Sequence, residues 1–190
     1  MPASIFQPTL WRTCRVLANE SRLRLFAQLV RNQPQSVSEL SRQCSLPLPV
    51  ASQSLRALEA RGLLRVNRVR RRVEYHIPTR SEAGALASLV AALQAALRVE
   101  PLPIELILKL ATAFTHPARI QIHRLLLAGP KTELQIRAAV RLSLVALWRH
   151  LRKLTKRGFV RYDDARRIYV SCNHPDRIGR ALSALTEAGG

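Results

Sequence analysis

Residues 46–65 read LPLPVASQSLRALEARGLLR, and residues 142–161 read LSLVALWRHLRKLTKRGFVR. The two stretches align at an offset of 96 residues, which pairs Gly62 with Gly158. In both, apolar residues recur every three or four positions before the glycine, which is typical of an amphipathic helix with a left-handed end. The repeat therefore predicts two equivalent helices, each with one buried face and one face free for contacts.

A second similarity lies upstream of each stretch. LANESRLRLFAQLV, at residues 17–30, aligns with FTHPARIQIHRLLL, at residues 114–127, at an offset of 97. A repeat that spans successive helices indicates that the chain holds two copies of one structural unit. We therefore predict a first domain at residues 1–99 and a second at residues 100–190, joined by the short proline-bounded link 98–103.

Each copy is predicted to contain helices followed by a hairpin. In copy one, Asn19 suits the start of a helix, and Ser36 and Glu39 have the spacing of a capping box. After the glycine, residues 64–67 and 73–77 alternate as two short strands around an arginine-rich tip. The expected fold is mainly α with small β-hairpin wings, arranged as two tandem winged helix-turn-helix domains.

The charge balance indicates a polyanionic partner. The 190 residues include 31 Lys and Arg against 12 Asp and Glu, a net charge of +19, and 27 of the cations are arginine. Both copies are basic, because the first 99 residues hold 15 cations and 5 acids and the rest hold 16 and 7. A GC-rich coding bias would supply arginines but would not remove acidic residues. Double-stranded DNA is the expected partner.

Four segments of copy one stand in a characteristic order: LANESRLRLFAQL, SVSEL, SQSLRALEARGLLR and an arginine-rich loop ending in VEYHI. This order resembles the ArsR-type (arsenical-resistance repressor) winged-helix family, and the resemblance covers most of both copies. It implies a bacterial or archaeal transcription regulator, most often a repressor, that binds palindromic operators as a dimer, with its first and last helices forming the dimer interface. The family's Cys-x-Cys metal site is absent from both third helices, so we expect neither a metal nor a cofactor.

Candidate DNA contacts lie on the free faces of the repeated helices and on the first hairpin. Glutamine can read adenine, and arginine can bind guanine or phosphate. A merely solvated helix face would have a similar composition, so the neighbouring basic hairpin supports the interpretation. The candidates are Ser52, Gln53, Arg56, Arg68, Arg70, Arg71 and Arg72 in copy one, and Trp148, Arg149, Arg152 and Lys153 in copy two.

Copy two is the weaker candidate for DNA contact. Its repeated helix opens with the apolar stretch 143–148, and its shorter hairpin, at 160–162 and 168–171, has Asp163 and Asp164 near the tip. Carboxylates in that position repel phosphate. The alternative function is therefore a protein-interaction or architectural nucleic-acid-binding module, in which copy two binds a protein partner.

An apolar helix is expected over residues 83–97, and a comparable apolar stripe ends copy two. Such apolar faces must be buried against another element. We therefore predict that the flanking helices of the copies pack together and make the chain a covalent pseudo-dimer. A homodimer of two chains is the alternative. The predicted interface consists of Leu10, Cys14, Leu86, Leu89, Leu93, Ile107, Leu108, Leu182 and Leu185.

The remaining chemistry-bearing residues indicate no catalytic site. We expect Cys14 and Cys44 to be reduced packing residues, with a redox switch as the alternative. The five histidines lack the spacing of metal ligands and should be exposed or capping groups. A nucleophile elbow and a phosphate-binding glycine loop are both missing from the sequence, so we expect no enzymatic activity. Without a long apolar run or a leader pattern, the expected location is cytoplasmic, with no membrane contact.

Overall fold

The computed structural model describes residues 9–69 and 72–188 of the chain. The fold is mainly helical with small antiparallel hairpins, which confirms the prediction of a mainly α fold with small β-hairpins. The long helices are separated by short turns, and no helix in the described part of the chain is both long and apolar enough to cross a bilayer.

The first half begins with helices, continues through a sheet in the order β1-β3-β2, and ends in two further helices. Its elements are α1 (Leu10–Leu17), α2 (Glu20–Arg31), β1 (Gln35–Ser36), α3 (Val37–Gln43), α4 (Leu48–Glu59), β2 (Arg65–Val69), β3 (Arg72–His76), α5 (Arg80–Ala83) and α6 (Ala87–Ala96).

The second half follows the same order of elements up to its hairpin. Lys131 forms an isolated bridge with Tyr169, at the place that β1 has in the first half. The elements are α7 (Ile104–Ala111), α8 (Pro117–Leu127), α9 (Glu133–Val140), α10 (Leu144–Lys156), β4 (Val160–Asp163), β5 (Ile168–Ser171) and α11 (Arg177–Ala188).

Helix starts follow the local signals in the sequence. The Asn19 side chain accepts a hydrogen bond from the backbone of the first turn of α2 at 3.0 Å, as predicted. Ser36 and Glu39 form the predicted capping box, in which the Ser36 N–H donates to the carboxylate at 2.8 Å. Thr132 and Gln135 form an equivalent box at α9. Each box satisfies backbone donors that the first turn of a helix leaves free.

The two repeated glycines end α4 and α10 in the left-handed conformation. Gly62 has a φ of 70° and Gly158 a φ of 81°, values that side-chain-bearing residues rarely adopt. A hairpin follows each glycine, and its strands match the predicted ones to within one or two residues. The predicted left-handed ends and both hairpins are therefore confirmed.

The prediction of one continuous helix over residues 83–97 is wrong. Thr79 and Glu82 form a capping box that starts α5 earlier, at Arg80. Gly84 then takes a φ of 52° and a ψ of −126°, which a helix cannot contain, and a 3₁₀ turn leads into α6. Apolar content alone did not reveal the break, because the positive φ at the glycine decides it.

One apolar core runs through both halves. Helix α6 packs against α11, and α7 packs against α1 and α2. Leu89 and Leu93 on α6 and Leu182 on α11 are fully buried. Since full burial of a leucine stabilises a fold by about 1.5–3 kcal/mol, this shared core holds the two halves in one arrangement.

The interpretation of the histidines is correct for His116 and wrong for His123 and His150, which are both buried. The His116 ring accepts a hydrogen bond from the N–H of Ala118 and caps α8. His123 is fully buried, with its ring centre 5.2 Å from that of Phe114. Its Nδ1 lies 3.0 Å from the hydroxyl of Thr186 on α11, so a hydrogen bond compensates for the buried polar ring. Burial lowers the pKa of His123 to about 4, so the ring is neutral at pH 7.

Candidate nucleic-acid interface

Helix α4 presents a polar outer face because its inner face is fixed in the core. Ala51, Leu55 and Leu58 are fully buried on that inner side. The opposite side consequently carries Gln53 and Arg56, both exposed, with Ser52 half-exposed beside them. The predicted contacts on α4 thus lie on one solvent-facing surface.

The turn that leads into α4 is rigidly held. Ser45 has a φ of 53°, and the Ser41 hydroxyl donates to the carbonyl of Leu46 at 2.6 Å. The first turn of α4 also exposes Leu48 and Val50, two apolar side chains that can contact a thymine methyl group. Neither residue is among the contacts predicted from the sequence.

The first hairpin carries exposed arginines beside α4. Arg68 pairs with Val73 across the hairpin, and Val69 pairs with Arg72, so Arg68 and Arg72 project from opposite faces. Arg72 also lies 3.9 Å from the Glu74 carboxylate, a solvent-exposed pair of small energetic value. The predicted contacts Arg70 and Arg71 lie outside the described residues.

Arg56 of α4 and Arg68 of the hairpin both lie near the hairpin residue Tyr75. Burial raises the pKa of the Tyr75 phenol, Glu59 raises it further, and Arg56 and Arg68 both act in the opposite direction. The two guanidiniums therefore lie close enough to one phenol to influence it electrostatically. The exposed residues Gln53 and Arg56 of α4 and Arg68 of the hairpin are together called here the first face.

The corresponding surface of α10 has a different chemistry. Leu134 is 72% exposed, Val145 is 64% exposed and Trp148 is 50% exposed. The Trp148 indole N–H donates to a Glu133 carboxylate oxygen at 2.6 Å. These four residues define a second face, which is apolar and carries one acidic group.

The predicted cations on α10 divide into two groups. Arg149 and Arg152 are exposed near the second face, whereas Lys153 is half-buried. Burial lowers the pKa of Lys153, and the neighbouring cation Arg157 lowers it further. Arg149 and Arg152 are thus accessible to a phosphate group, whereas Lys153 is less accessible.

The second hairpin has a mixed charge at its tip. The Asp163 carboxylate accepts a hydrogen bond from the N–H of Arg166 at 3.2 Å, which orders the turn. Asp164 is exposed next to it, and the rings of Tyr162 and Tyr169 lie 4.7 Å apart across the strands. Carboxylates at this tip oppose an approach to phosphate.

The residues predicted at the interface between the copies lie in or against the common core. Cys14 is completely buried, as predicted for it, and Cys44 is half-buried. Burial raises the pKa of the Cys14 thiol, and Arg119 of the second half partly opposes that change. Fully or nearly fully buried are Cys14, Leu86, Leu89, Leu93, Ile107 and Leu182; partly buried against the core are Leu10, Leu108 and Leu185.

Metal-ligating side chains do not gather in the described part of the chain. Within residues 9–69 and 72–188, no three His, Cys, Asp or Glu side chains lie together in a way that could hold an ion.

Comparison with known families gives one match to this region. A family model described as a helix-turn-helix domain matches residues 17–67, which include α2, α3 and α4. Neither the curated proteins nor the solved structures contain a match to the chain. Residues 17–67 are therefore a helix-turn-helix domain, a class of DNA-binding domain that is typically regulatory and non-enzymatic.

Proposed function

We propose that the protein is a sequence-specific regulator of transcription that binds double-stranded DNA and represses by covering its site. The first face carries this proposal, because Gln53 and Arg56 are exposed within a helix-turn-helix domain and Arg68 is exposed on the hairpin that follows it. With α4 in the major groove, Gln53 can bind adenine through N6 and N7. Arg56 and Arg68 would then contact phosphates on either side and hold α4 in position.

The proposal includes two winged domains, at residues 1–99 and 100–190, that act as a pseudo-dimer within one chain. The matching order of elements in the two halves supports it. So does the shared core, in which α6 packs on α11 and α1 on α7. Two heads related like the subunits of a dimer would bind half-sites about 34–36 Å apart.

Regulation in this proposal does not depend on a metal ion. Purified protein should therefore bind its DNA site equally well with and without a chelator. A chelator-dependent change in affinity would contradict it.

Selection from a randomised duplex pool tests the proposal directly. The full chain is incubated with the pool at about 150 mM salt, where non-specific phosphate binding is weakened. We expect enrichment of an asymmetric two-part site, because the first face and the second face differ, and a complex mass of one chain per duplex. A palindrome bound by two chains would replace the pseudo-dimer by a homodimer. Salt-sensitive binding without an enriched sequence would reject a sequence-specific regulator.

The second face supports one alternative function, in which the second domain binds a protein. Leu134 and Val145 are exposed, and the Glu133 carboxylate next to Trp148 would repel phosphate. The variant Arg149→Ala distinguishes the two functions. An altered base preference in one half-site assigns the second face to DNA, whereas an unchanged site and affinity assign it to a protein partner.

A further inference from the structure

A groove lies beyond the first face along α4, between α1 and the C-terminal end of α4. Its volume is about 370 Å³, which is within the range of small-molecule sites. Trp11 and Val16 of α1 and Ala57 and Ala60 of the α4 end contribute apolar surface to it. A ligand seated there would place an apolar body against the indole and the two alanines.

Three arginines supply the charge of this groove: Arg12, Arg15 and Arg61. The guanidinium carbons of Arg12 and Arg15 lie 5.0 and 5.7 Å from the centre of the Trp11 ring, which is the distance of a cation–π contact. In the described part of the chain, none of the three guanidiniums takes part in an ion pair. The groove therefore holds three positive charges without a described carboxylate partner.

The second half shows how the same position is built when its arginine has a partner. Arg157, the counterpart of Arg61, donates from Nε to the hydroxyl of Thr112 at 3.1 Å. Thr112 is the counterpart of Arg15, at the offset of 97 that relates α1 to α7. A donor–acceptor pair in the second half is thus replaced by two guanidiniums in the first half. Two like charges in one groove favour an anion between them.

The two alanines of the groove are also specific to the first half. Lys153 and Lys156 stand at the positions of Ala57 and Ala60. A lysine side chain is several atoms longer than the methyl group of alanine, so it takes up space that alanine leaves open. The space in the groove is therefore a property of the first half and not a general consequence of the fold.

We propose that the groove between α1 and α4 binds a small organic anion with a flat apolar body, that is, an aromatic carboxylate. The carboxylate would accept hydrogen bonds from Arg15 and Arg61, since guanidinium groups bind carboxylates bidentately. The ring would pack on Trp11 and Ala57. A bare phosphate would satisfy the arginines but leave the apolar lining uncovered, so an aromatic carboxylate uses more of the groove.

The position of the groove connects such a ligand to DNA binding. Ala57 lies one helical turn beyond Gln53 on α4, so a ligand held against Ala57 biases the position of the first face. This step depends on the proposed function. By thermodynamic reciprocity, DNA and ligand must change each other's affinity by the same factor.

Titration of the full chain with 1-naphthoate tests the site without DNA. The readout is the Trp11 indole signal in a ¹H–¹⁵N spectrum, identified by comparison with a Trp148→Phe spectrum, since the chain has two tryptophans. Inorganic phosphate and neutral 1-naphthalenemethanol are titrated in parallel. We expect a saturable shift with 1-naphthoate, from which the affinity is at least tenfold higher than for either control. Equal binding of phosphate would reduce the groove to a simple anion site, and equal binding of the alcohol would remove the role of the arginines.

Two variants and a matched control locate the binding. Arg61→Gln removes one charge and Ala57→Leu fills the groove, and each should weaken 1-naphthoate at least tenfold. Arg98→Gln changes the charge equally at an exposed position beyond α6 and should bind like the parent. Circular dichroism verifies folding, and if Ala57→Leu does not fold, Arg61→Gln decides the test. Unchanged binding by Arg61→Gln would overturn the proposal.

A parallel assay of DNA binding tests whether 1-naphthoate, once bound, also changes the affinity of the chain for DNA. 1-Naphthoate should change the affinity of the chain for its selected duplex and should not change that of Arg61→Gln. Binding of 1-naphthoate with no effect on DNA affinity would overturn the coupling through α4. A chain that binds 1-naphthoate but selects no duplex would instead reject the proposed function.

Discussion

The exposed faces of α4 and α10 lie on equivalent helices and have different chemistry. Leu55 and Leu151, at matching positions on the inner side, are both buried. On the outer side, Gln53 in the first half corresponds to Arg149 in the second, and Ser52 corresponds to Trp148, whose indole is bound to a carboxylate. The core thus determines which side of each helix is buried and leaves the outer side free to differ. Evidence about one face therefore does not transfer to the other.

The strongest test of this comparison concerns the core that the two faces share. Leu93 on α6 is fully buried and α6 packs against α11, so Leu93→Ala should lower the free energy of unfolding by about 2–5 kcal/mol. Denaturant unfolding followed by circular dichroism measures the change. The matched control is Leu134→Ala at an exposed position, which should change stability by less than about 0.5 kcal/mol.

The shape of the same unfolding curve carries further information. A single transition in both parent and variant is expected, because the halves share one core. Two separate transitions, with only the first shifted by Leu93→Ala, would show that the halves fold independently and would contradict the pseudo-dimer.

A second difference between the halves lies inside the core. His123 on α8 corresponds to Phe26 on α2, and both are fully buried. Burial lowers the pKa of His123 from 6.5 to about 4. Between these pH values the ring is therefore protonated in the unfolded chain and neutral in the folded chain. The stability contributed by the neutral ring is complete above pH 6.5 and is lost as the pH falls toward 4. The loss is on the order of 3 kcal/mol.

The variant His123→Phe should therefore flatten the pH dependence of stability in this window. Denaturant midpoints at pH 7, 5.5 and 4 measure it. Part of the dependence should persist, because burial, His116 and Arg119 together lower the pKa of His150 to about 4 as well. Leu134→Ala, which removes no titratable group, should keep the slope of the parent. If His123→Phe has the same slope of stability against pH as the parent, His123 is not the source of that slope.

The third test concerns base recognition by the first face. Gln53→Ala removes the side chain proposed to read adenine and should cost about 1–3 kcal/mol of affinity for the selected site. Competition binding against duplexes changed at one base pair should show relaxed preference at that pair alone. Gln121→Ala, an equally exposed glutamine on α8, is the matched control. Equal affinity of Gln53→Ala and the parent for every duplex would remove α4 as the reading helix.

The sequence predicted the features that depend on local signals or on repetition. The capping box at Ser36, the left-handed Gly62 and the buried Cys14 all follow from residue type and spacing, and all are confirmed. Features that depend on contacts distant in sequence were not predictable. The burial of His123 depends on Thr186 across the core, and the break at Gly84 depends on a combination of φ and ψ that residues with a side chain rarely adopt.

The same limit applies to the candidate interface. The sequence identified Gln53 and Arg56 from their position relative to the buried stripe. It did not show that Trp148 is bound to Glu133, because that contact joins two helices. Nor did it indicate that the groove beside Trp11 combines small residues of α4 with the arginines of α1.

The smallest expected effect compares the two hairpins. Arg68→Ala removes one proposed phosphate contact, so the slope of log affinity against log salt should become shallower by about 1. That corresponds to a three- to fourfold smaller loss of affinity between about 50 and 200 mM salt. Arg166→Ala removes the same charge from the second hairpin, where Asp163 and Asp164 oppose phosphate, and should leave the slope unchanged. If both variants reduce the slope equally, both hairpins contact DNA, and the difference between the halves is confined to the helices.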